Sequence, residues 1–279
     1  MPELPEVETV RRGLEQYVVG KKVVSAESFH RRTIKPSSLG RLEMVTGSKI
    51  LAVKRRGKFL WFELDRDFVL VAHLGMSGQL LVQQSNAFDQ SHLRARLRLG
   101  RKLNRTSKDE IRFIDQRTFG WLSVEEINNR VPTSASHIAY DPFEPEFNLK
   151  QVVAKIRTKK TSIKSAILNQ EVVSGIGNIY ADESLWRAKI HPEIICEDLS
   201  ENEIKKIISS AVSVMKSAIK AGGTSFDEQY KNVNGESGYF SRSLSVYGRQ
   251  GEPCSRCGAP IARIAFANRS SHFCPRCQR

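Results

Sequence analysis

Met1-Pro2-Glu3-Leu4-Pro5-Glu6-Val7-Glu8 opens the chain and decides how the rest is read. With the initiator methionine removed, Pro2 presents a free secondary amine beside two carboxylates, Glu3 and Glu6. First residues commonly fray, and proline in a loose tail would mean little. Here Pro5 suits the first turn of a helix, where a missing N–H loses nothing. Val7, Val10, Leu14 and Val18 then recur at helical spacing, so the stretch is predicted to start a helix anchored on a core. An amine held in that way titrates near pH ~8, which leaves an unprotonated fraction at neutral pH. Such a group attacks an aldehyde-like carbon and forms a cationic, electron-withdrawing imine.

Beyond this helix, residues 22–124 read mainly as strands. Ile50-Leu51-Ala52-Val53, Lys58-Phe59-Leu60-Trp61-Phe62, Phe68-Val69-Leu70-Val71 and Leu80-Leu81-Val82 are short β-rich runs. Arg94-Ala95-Arg96-Leu97-Arg98-Leu99 alternates basic and apolar residues, which puts the arginines on one face. Several strands at this spacing predict an antiparallel sandwich or barrel with the N-terminal helix at its side. The polar segment from Arg101 to Asp109 reads as a solvated insertion. Asp141-Pro142-Phe143-Glu144-Pro145 interrupts the pattern as a linker, and helical spacing follows over 155–170, with Ile156, Ile163, Ala166 and Ile167. Ser200-Glu201-Asn202-Glu203 is a capping box opening a strong amphipathic helix, and Gly222-Gly223 closes it. Residues 224–239 are polar and suit a mobile loop.

Lys and Arg number 44 against 30 Asp and Glu, a net charge of +14 that favours a polyanionic partner, nucleic acid first. The sequence shows neither a signal-peptide pattern nor a run of apolar residues long enough to span a membrane, and the expected compartment is the cytosol, with no membrane partner. Five cysteines in that compartment are not expected to form disulfides. Four of them form Cys254-x-x-Cys257 and, sixteen residues on, Cys274-x-x-Cys277. Two such knuckles on a short hairpin make a ribbon around one structural zinc, with sulfur at all four corners and no open position for catalysis. Cys196 stands apart as a free thiol.

The N-terminal run resembles that of the bacterial formamidopyrimidine-DNA glycosylases, repair enzymes for oxidised purines, and the likeness continues through the chain in family order. It passes through Lys54-Arg55-Arg56-Gly57-Lys58, His73-Leu74-Gly75-Met76-Ser77-Gly78, Phe113-Ile114-Asp115-Gln116-Arg117-Thr118-Phe119-Gly120, the run Gly175 to Glu183, and the cysteine ribbon. The resemblance implies an α+β multidomain fold. Its parts are an N-terminal catalytic antiparallel β-sandwich or barrel with flanking helices (1–135), a linker (136–148), a helix-two-turns-helix DNA-binding domain with a lesion loop (149–240) and a zinc ribbon (241–279).

It also implies roles. Pro2 is the nucleophile, Glu3 handles protons at the sugar, Glu6 orders the site, and Lys58 contacts the lesion or its phosphate. Met76 fills the space of the extruded base, Arg117 faces the orphaned cytosine, and Phe119 wedges the opposite strand. His92, Lys160, Lys164 and Asn178 contact DNA, and Arg269 grips the phosphate beside the lesion and serves the second elimination. Many relatives have glycine on both sides of that arginine. Asn268 and Ser270 depart from this, although Asn tolerates positive φ. The implied activity is a bifunctional DNA glycosylase and abasic-site lyase of base excision repair, acting as a monomer on damaged double-stranded DNA in the bacterial cytosol and nucleoid, with zinc its one metal. An endonuclease VIII-like enzyme for oxidised pyrimidines is the nearest alternative, which Leu4 disfavours because that branch tends to have glycine there. A non-catalytic zinc-ribbon DNA-binding protein is the alternative from another class.

Overall fold

The apolar spacing of the first turns is realised as helix α1, Leu4–Val18, whose Leu4, Val7, Val10, Leu14 and Val18 are buried. The computed structural model describes residues 2–100, 109–223, 233 and 243–279. Two compact units result, one of residues 1–137 and 221–239, the other of residues 138–220 and 240–279.

In the first unit the described strands are β1 (Val23–Ser28), β2 (Ile50–Arg56), β3 (Phe59–Leu64), β4 (Phe68–His73), β5 (Gly78–Gln83), β6 (Leu93–Leu99), β7 (Glu110–Asp115), β8 (Trp121–Asn128) and β9 (Val131–Pro132). They form two antiparallel sheets, ordered β1-β6-β7-β5 and β2-β3-β4-β8-β9. Alternate residues from both sheets, among them Leu60, Phe62, Leu70, Leu80, Leu97, Ile111, Phe113 and Leu122, share one core with the inner stripe of α1. The result is a half-barrel sandwich. Tight turns join β2, β3 and β4, as the short spacing between their apolar runs requires.

The basic strand β6 buries Ala95, Leu97 and Leu99, and its cations meet acids on the next strand. Glu110 of β7, fully buried, pairs with Arg96 (3.4 Å), Arg98 (3.1 Å) and Arg112 (2.9 Å). Arg112 also donates to the carbonyls of Ala87 and Phe88, so this strand pair is tied to the 84–92 loop. Of the expected insertion, residues 101–108 lie outside the described residues. Its last residue departs from the expectation: Asp109 is buried and accepts the Ser85 N–H at 2.7 Å. The expected mobile loop 224–239 likewise lies outside the described residues apart from Val233, which is buried in the core and accepts the Val82 N–H through its carbonyl.

The second unit carries α2 (Leu149–Arg157), α3 (Ile163–Leu168), α4 (Asn178–Ala188) and α5 (Glu201–Lys220), then the hairpin β10 (Ala262–Phe266) and β11 (Arg269–Phe273). The helical spacing across 155–170 resolves into two helices because Ser162 starts a new one, its hydroxyl accepting the Ser165 N–H. Ser200 and Glu203 form the expected reciprocal cap, with Glu203 Oε2 accepting the Ser200 N–H at 2.8 Å and Ser200 Oγ accepting the Glu203 N–H at 3.3 Å. Cys196 is buried, and burial pushes its thiol up to about 11, which leaves it unreactive. Among the described residues no helix is long and apolar enough to cross a membrane.

Glu8 ties α1 to the strand that leads into the Lys58 turn. Its carboxylate accepts from Arg11 (3.0 Å), Arg12 (2.7 Å) and, across to β2, Arg55 (3.0 Å). Burial alone would raise its pKa, but these hydrogen bonds and charges outweigh burial and hold it down at about 2. A depressed carboxylate stabilises the fold above its unfolded value and loses that contribution as pH falls through the folded one. Glu8→Gln is therefore expected to cost about 2 kcal/mol at pH 7, and to flatten the loss of stability between pH 4.5 and about 2 in urea titrations followed across pH.

Candidate active site and metal centre

Pro2, Glu3 and Glu6 are all buried at the start of α1. Glu3 is the helix N-cap, and Glu6 Oε2 accepts its N–H at 2.8 Å, one half of a capping box that fixes both carboxylates beside Pro2. Lys58 lies in the turn after Gly57, which takes a positive φ of 54°. A basic turn is ordinarily solvated, yet Lys58 is only 9% exposed. Arg55 shapes this turn as well, donating to the Gly57 carbonyl at 3.0 Å while its Nε holds Glu8. One guanidinium thus links the helix that carries Pro2 to the turn that carries Lys58.

Next to this turn, His73 is enclosed by aromatic rings, stacked on Trp121 at 5.5 Å and tilted against Phe59 at 5.0 Å. Lys35 places its ammonium 4.5 Å over the Trp121 ring. Burial, then the charges of Lys58 and Lys35, push His73 down to about 4, so the ring is neutral at physiological pH. Its Nδ1 accepts the Gly75 N–H at 3.2 Å, which orients the turn that follows.

That turn and the Arg117–Phe119 loop are brought together by a residue with no role foreseen in the sequence. Asp115, fully buried, accepts Ser77 Oγ–H at 2.5 Å and the Arg117 N–H at 3.2 Å on Oδ1, and the Gly120 N–H at 2.7 Å on Oδ2. Gly75 is required here: its φ is +58°, and a Cβ would lie 2.4 Å from the Phe119 carbonyl carbon. Thr118 also takes a positive φ, 53°, a strain of roughly 1–2 kcal/mol for a β-branched residue, and the Asp115 bonds on either side hold it in place. What emerges is a ridge of exposed side chains, Met76, Arg117 and Phe119, with the Arg117 guanidinium 5.2 Å from the Phe119 ring centre. His92 is exposed close by along the chain fold, its carbonyl accepting the Asp115 N–H at 3.0 Å. A sequence signal for Asp115 existed: a carboxylate closing a β-strand just before a glycine-ended loop is a common backbone anchor.

In the second unit Lys160 and Arg269 are exposed and Asn178 is half-buried at the start of α4. Lys164 is placed differently from the expectation of a DNA contact. It is wholly buried, with its ammonium 2.6 Å from Asp182 and donating to the Ser270 carbonyl at 3.0 Å, so no part of it reaches a phosphate from the surface. A lysine in the first turn of a short helix looks solvated in sequence; the acid that draws it inward stands eighteen positions away. At the hairpin tip the positive φ falls on Ala267, 48°, and not on Asn268. Glu183, beside Asp182 on α4, accepts the N–H groups of Ser245, Val246 and Tyr247 at 2.8 to 3.0 Å and so holds the approach to the cysteine hairpin.

The four ribbon cysteines converge, with all four sulfurs within 4.8 Å of one another. Tetrahedral thiolate zinc with bonds of about 2.3 Å separates its sulfurs by about 3.8 Å, against 4.0 Å for Cys254 to Cys277 and 3.5 Å for Cys257 to Cys274. Donor set and spacing fit one structural zinc. The finger is seated on α4 by Trp186, whose Nε1 lies 3.5 Å from Cys254 Sγ and whose ring carries Arg256 at 3.7 Å.

A half-barrel whose first helix opens beside a buried Pro2, a ridge of exposed side chains on two turns, and a helical unit bearing a four-thiolate finger fit the class of zinc-finger DNA glycosylases. Residues 1–122 match the formamidopyrimidine-DNA glycosylase N-terminal domain, 138–229 the formamidopyrimidine-DNA glycosylase H2TH domain, and 251–279 a zinc finger found in FPG and IleRS. The chain is 52% identical over 286 residues to the formamidopyrimidine-DNA glycosylase of Rhodococcus erythropolis, covering 100% of this chain and 97% of that one. It is 49% identical over 281 residues to that of Salinispora arenicola, covering 100% and 96%. Among solved structures, the Lactococcus lactis Fpg complex with abasic-site DNA is similar at 36% identity and a TM-score of 0.85 over all of both chains. MutM (Fpg) from Thermus thermophilus is similar at 33% identity and a TM-score of 0.86, over 99% and 98%. The chain belongs to the formamidopyrimidine-DNA glycosylase family. It is accordingly a DNA glycosylase of base excision repair, with the lyase activity characteristic of that family.

Two measurements check this geometry. In the folded protein the His73 ring should titrate by NMR at about 4, and Lys58→Met should raise that value, because one of the charges opposing protonation is gone. Since the unfolded chain takes up this proton first, stability due to His73 should decline as pH falls from 6.5 toward 4. For the finger, metal analysis should find one equivalent of zinc, and Cys257→Ser should abolish it and open residues 254–279 to proteolysis.

Proposed function

We propose that the protein excises oxidised purines such as 8-oxoguanine and formamidopyrimidines from duplex DNA through an imine on Pro2. The proline nitrogen attacks C1′ of the extruded nucleoside and gives up its proton, the C1′–base bond breaks, and the base leaves with its electron pair and a proton; the sugar ring then opens at C1′–O4′, O4′ takes a proton, and C1′ becomes a cationic imine. The resulting imine acidifies C2′. Loss of that proton expels the 3′ phosphate, and a second elimination expels the 5′ phosphate, cutting the strand on both sides of the lost nucleotide. Glu3 moves protons at the sugar, and Glu6, bound to the Glu3 N–H, keeps it aligned. Lys58 contacts the lesion or its phosphate.

Met76, Arg117 and Phe119 occupy and brace the gap left by the base. Unstacking a base costs on the order of a few kcal/mol, which an apolar wedge and a guanidinium offset. His92, Lys160 and Asn178 bind the DNA backbone, and Arg269 grips the phosphate beside the lesion. The observation that carries this reading is the buried Pro2 fixed beside the Glu3–Glu6 cap, where a flexible tail would otherwise be expected. Solved relatives bound to abasic-site DNA and to DNA with a carbocyclic 8-oxo-G support the substrate class. The protein acts as a monomer in the bacterial cytosol.

Borohydride reduction during turnover tests the covalent route. A trapped protein–DNA complex is expected with abasic and 8-oxoguanine duplexes, more readily than with oxidised pyrimidines. Pro2→Gly should reduce trapping by about two orders of magnitude or more while duplex affinity stays within a few-fold. Absence of trapping by protein whose initiator methionine has been removed would overturn the imine and favour a DNA-binding module. Preferential trapping on oxidised pyrimidines would favour the endonuclease VIII-like alternative.

A further inference from the structure

Lys164 takes no part in the reaction above, yet it is a cation with no exposure to solvent. Besides its 2.6 Å contact to Asp182 Oδ1 and its 3.0 Å bond to the Ser270 carbonyl, its ammonium stands 4.9 Å from the centre of the Phe266 ring. The Ser270 carbonyl accepts a second bond, from Asn178 Nδ2 at 2.9 Å. Asp182 closes the arrangement from the other side, accepting Ser271 Oγ–H at 3.1 Å and the His272 N–H at 2.8 Å, with His272 Nδ1 at 3.3 Å. Phe266, Ser270, Ser271 and His272 bracket Arg269, which pairs across the hairpin with Phe266 and is itself exposed.

The hairpin does not hold that geometry unaided. Its two-residue turn is Ala267-Asn268, and the left-handed φ of 48° sits on alanine, a residue ill suited to it. Such a turn drifts toward other conformations unless the strands beside it are fixed from outside. A buried ion pair is also a poor source of net stability compared with apolar groups of the same shape. What it supplies is direction: two charged groups that are satisfied in one arrangement of the hairpin tip and stranded in any other.

We propose that Lys164 and Asp182 are positioning residues for Arg269: α3 and α4 lock the Ser270 peptide and the start of β11, and so set where the guanidinium meets a DNA phosphate. The proposal rests on the assignment of Arg269 to that phosphate. It explains why the lysine is drawn into the protein interior instead of lying at the DNA backbone.

A double-mutant cycle tests it. Lys164→Met with Asp182→Asn removes both charges together, so neither is left buried alone. On preformed abasic-site duplex, with zinc content held at one equivalent, this pair of changes should slow strand cleavage about tenfold and favour the singly eliminated product over the doubly eliminated one. Borohydride trapping of the first imine, which depends on Pro2, should stay within about twofold. In an Arg269→Ala background the same changes should have less than about a twofold further effect. An equal tenfold loss in both backgrounds would overturn the clamp. If Arg269→Ala alone changes nothing, the phosphate assignment of Arg269 is what fails. Should the charge-free pair lose its zinc, Ser271→Ala removes one donor to Asp182 without stranding a charge, and a loss of activity that does not depend on Arg269 would equally overturn the proposal.

Discussion

A carboxylate taken out of water must recover its lost hydration from nearby N–H and O–H donors, and when those donors belong to a loop, the loop acquires one shape. Several acids among the described residues act in that way. Glu8 binds α1 to β2 through Arg55, Asp115 gathers the Met76 and Arg117 turns, and Asp182 and Glu183 hold the tip and the approach of the finger hairpin. Apolar packing alone would leave such segments loosely placed, because their tips carry exposed residues that bury nothing. Met76, at 45% exposure, and Phe119, at 54%, contribute no core of their own. Their placement depends on the acid beneath them.

Most of the fold was legible because it rests on local periodicity. The α1 stripe, the alternating strands and the Ser200–Glu203 cap are all patterns within a few residues, and each forms where the spacing puts it. The zinc centre was legible for a different reason: two Cys-x-x-Cys pairs at knuckle spacing supply a complete tetrahedral donor set by themselves. What the sequence hid was long-range. Lys164 and Asp182 are eighteen residues apart, and nothing near either marks them as partners, so the lysine read as a DNA contact. Asp115 lay within a run already singled out for Arg117 and Phe119, but its hold on Ser77 crosses 38 positions. The choice between sandwich and barrel also required pairing between distant strands, β4 with β8 and β5 with β7.

Aromatic enclosure of His73 has a consequence for the Lys58 turn. A ring held neutral by burial and by two neighbouring ammonium groups adds no positive charge beside Lys58, and its Nδ1 remains an acceptor for the Gly75 N–H. Protonation would turn that acceptor into a donor facing another donor, so the turn that carries Met76 is built on the neutral ring. Low pKa and turn geometry are thus one arrangement seen from two sides.

Charge divides along similar lines. A net +14 suggests a uniformly adhesive surface, but many of the cations are engaged internally: Arg11, Arg12 and Arg55 on Glu8, Arg96, Arg98 and Arg112 on Glu110, Lys164 on Asp182. Among the described residues, Arg117, Lys160 and Arg269 are exposed and have no carboxylate within ion-pair distance. A cation already matched to a buried acid releases no counterion when a phosphate approaches, whereas an unmatched one does. Affinity for a polyanion must therefore come from the unmatched cations, while those matched to buried acids hold the turns and strands around them in place.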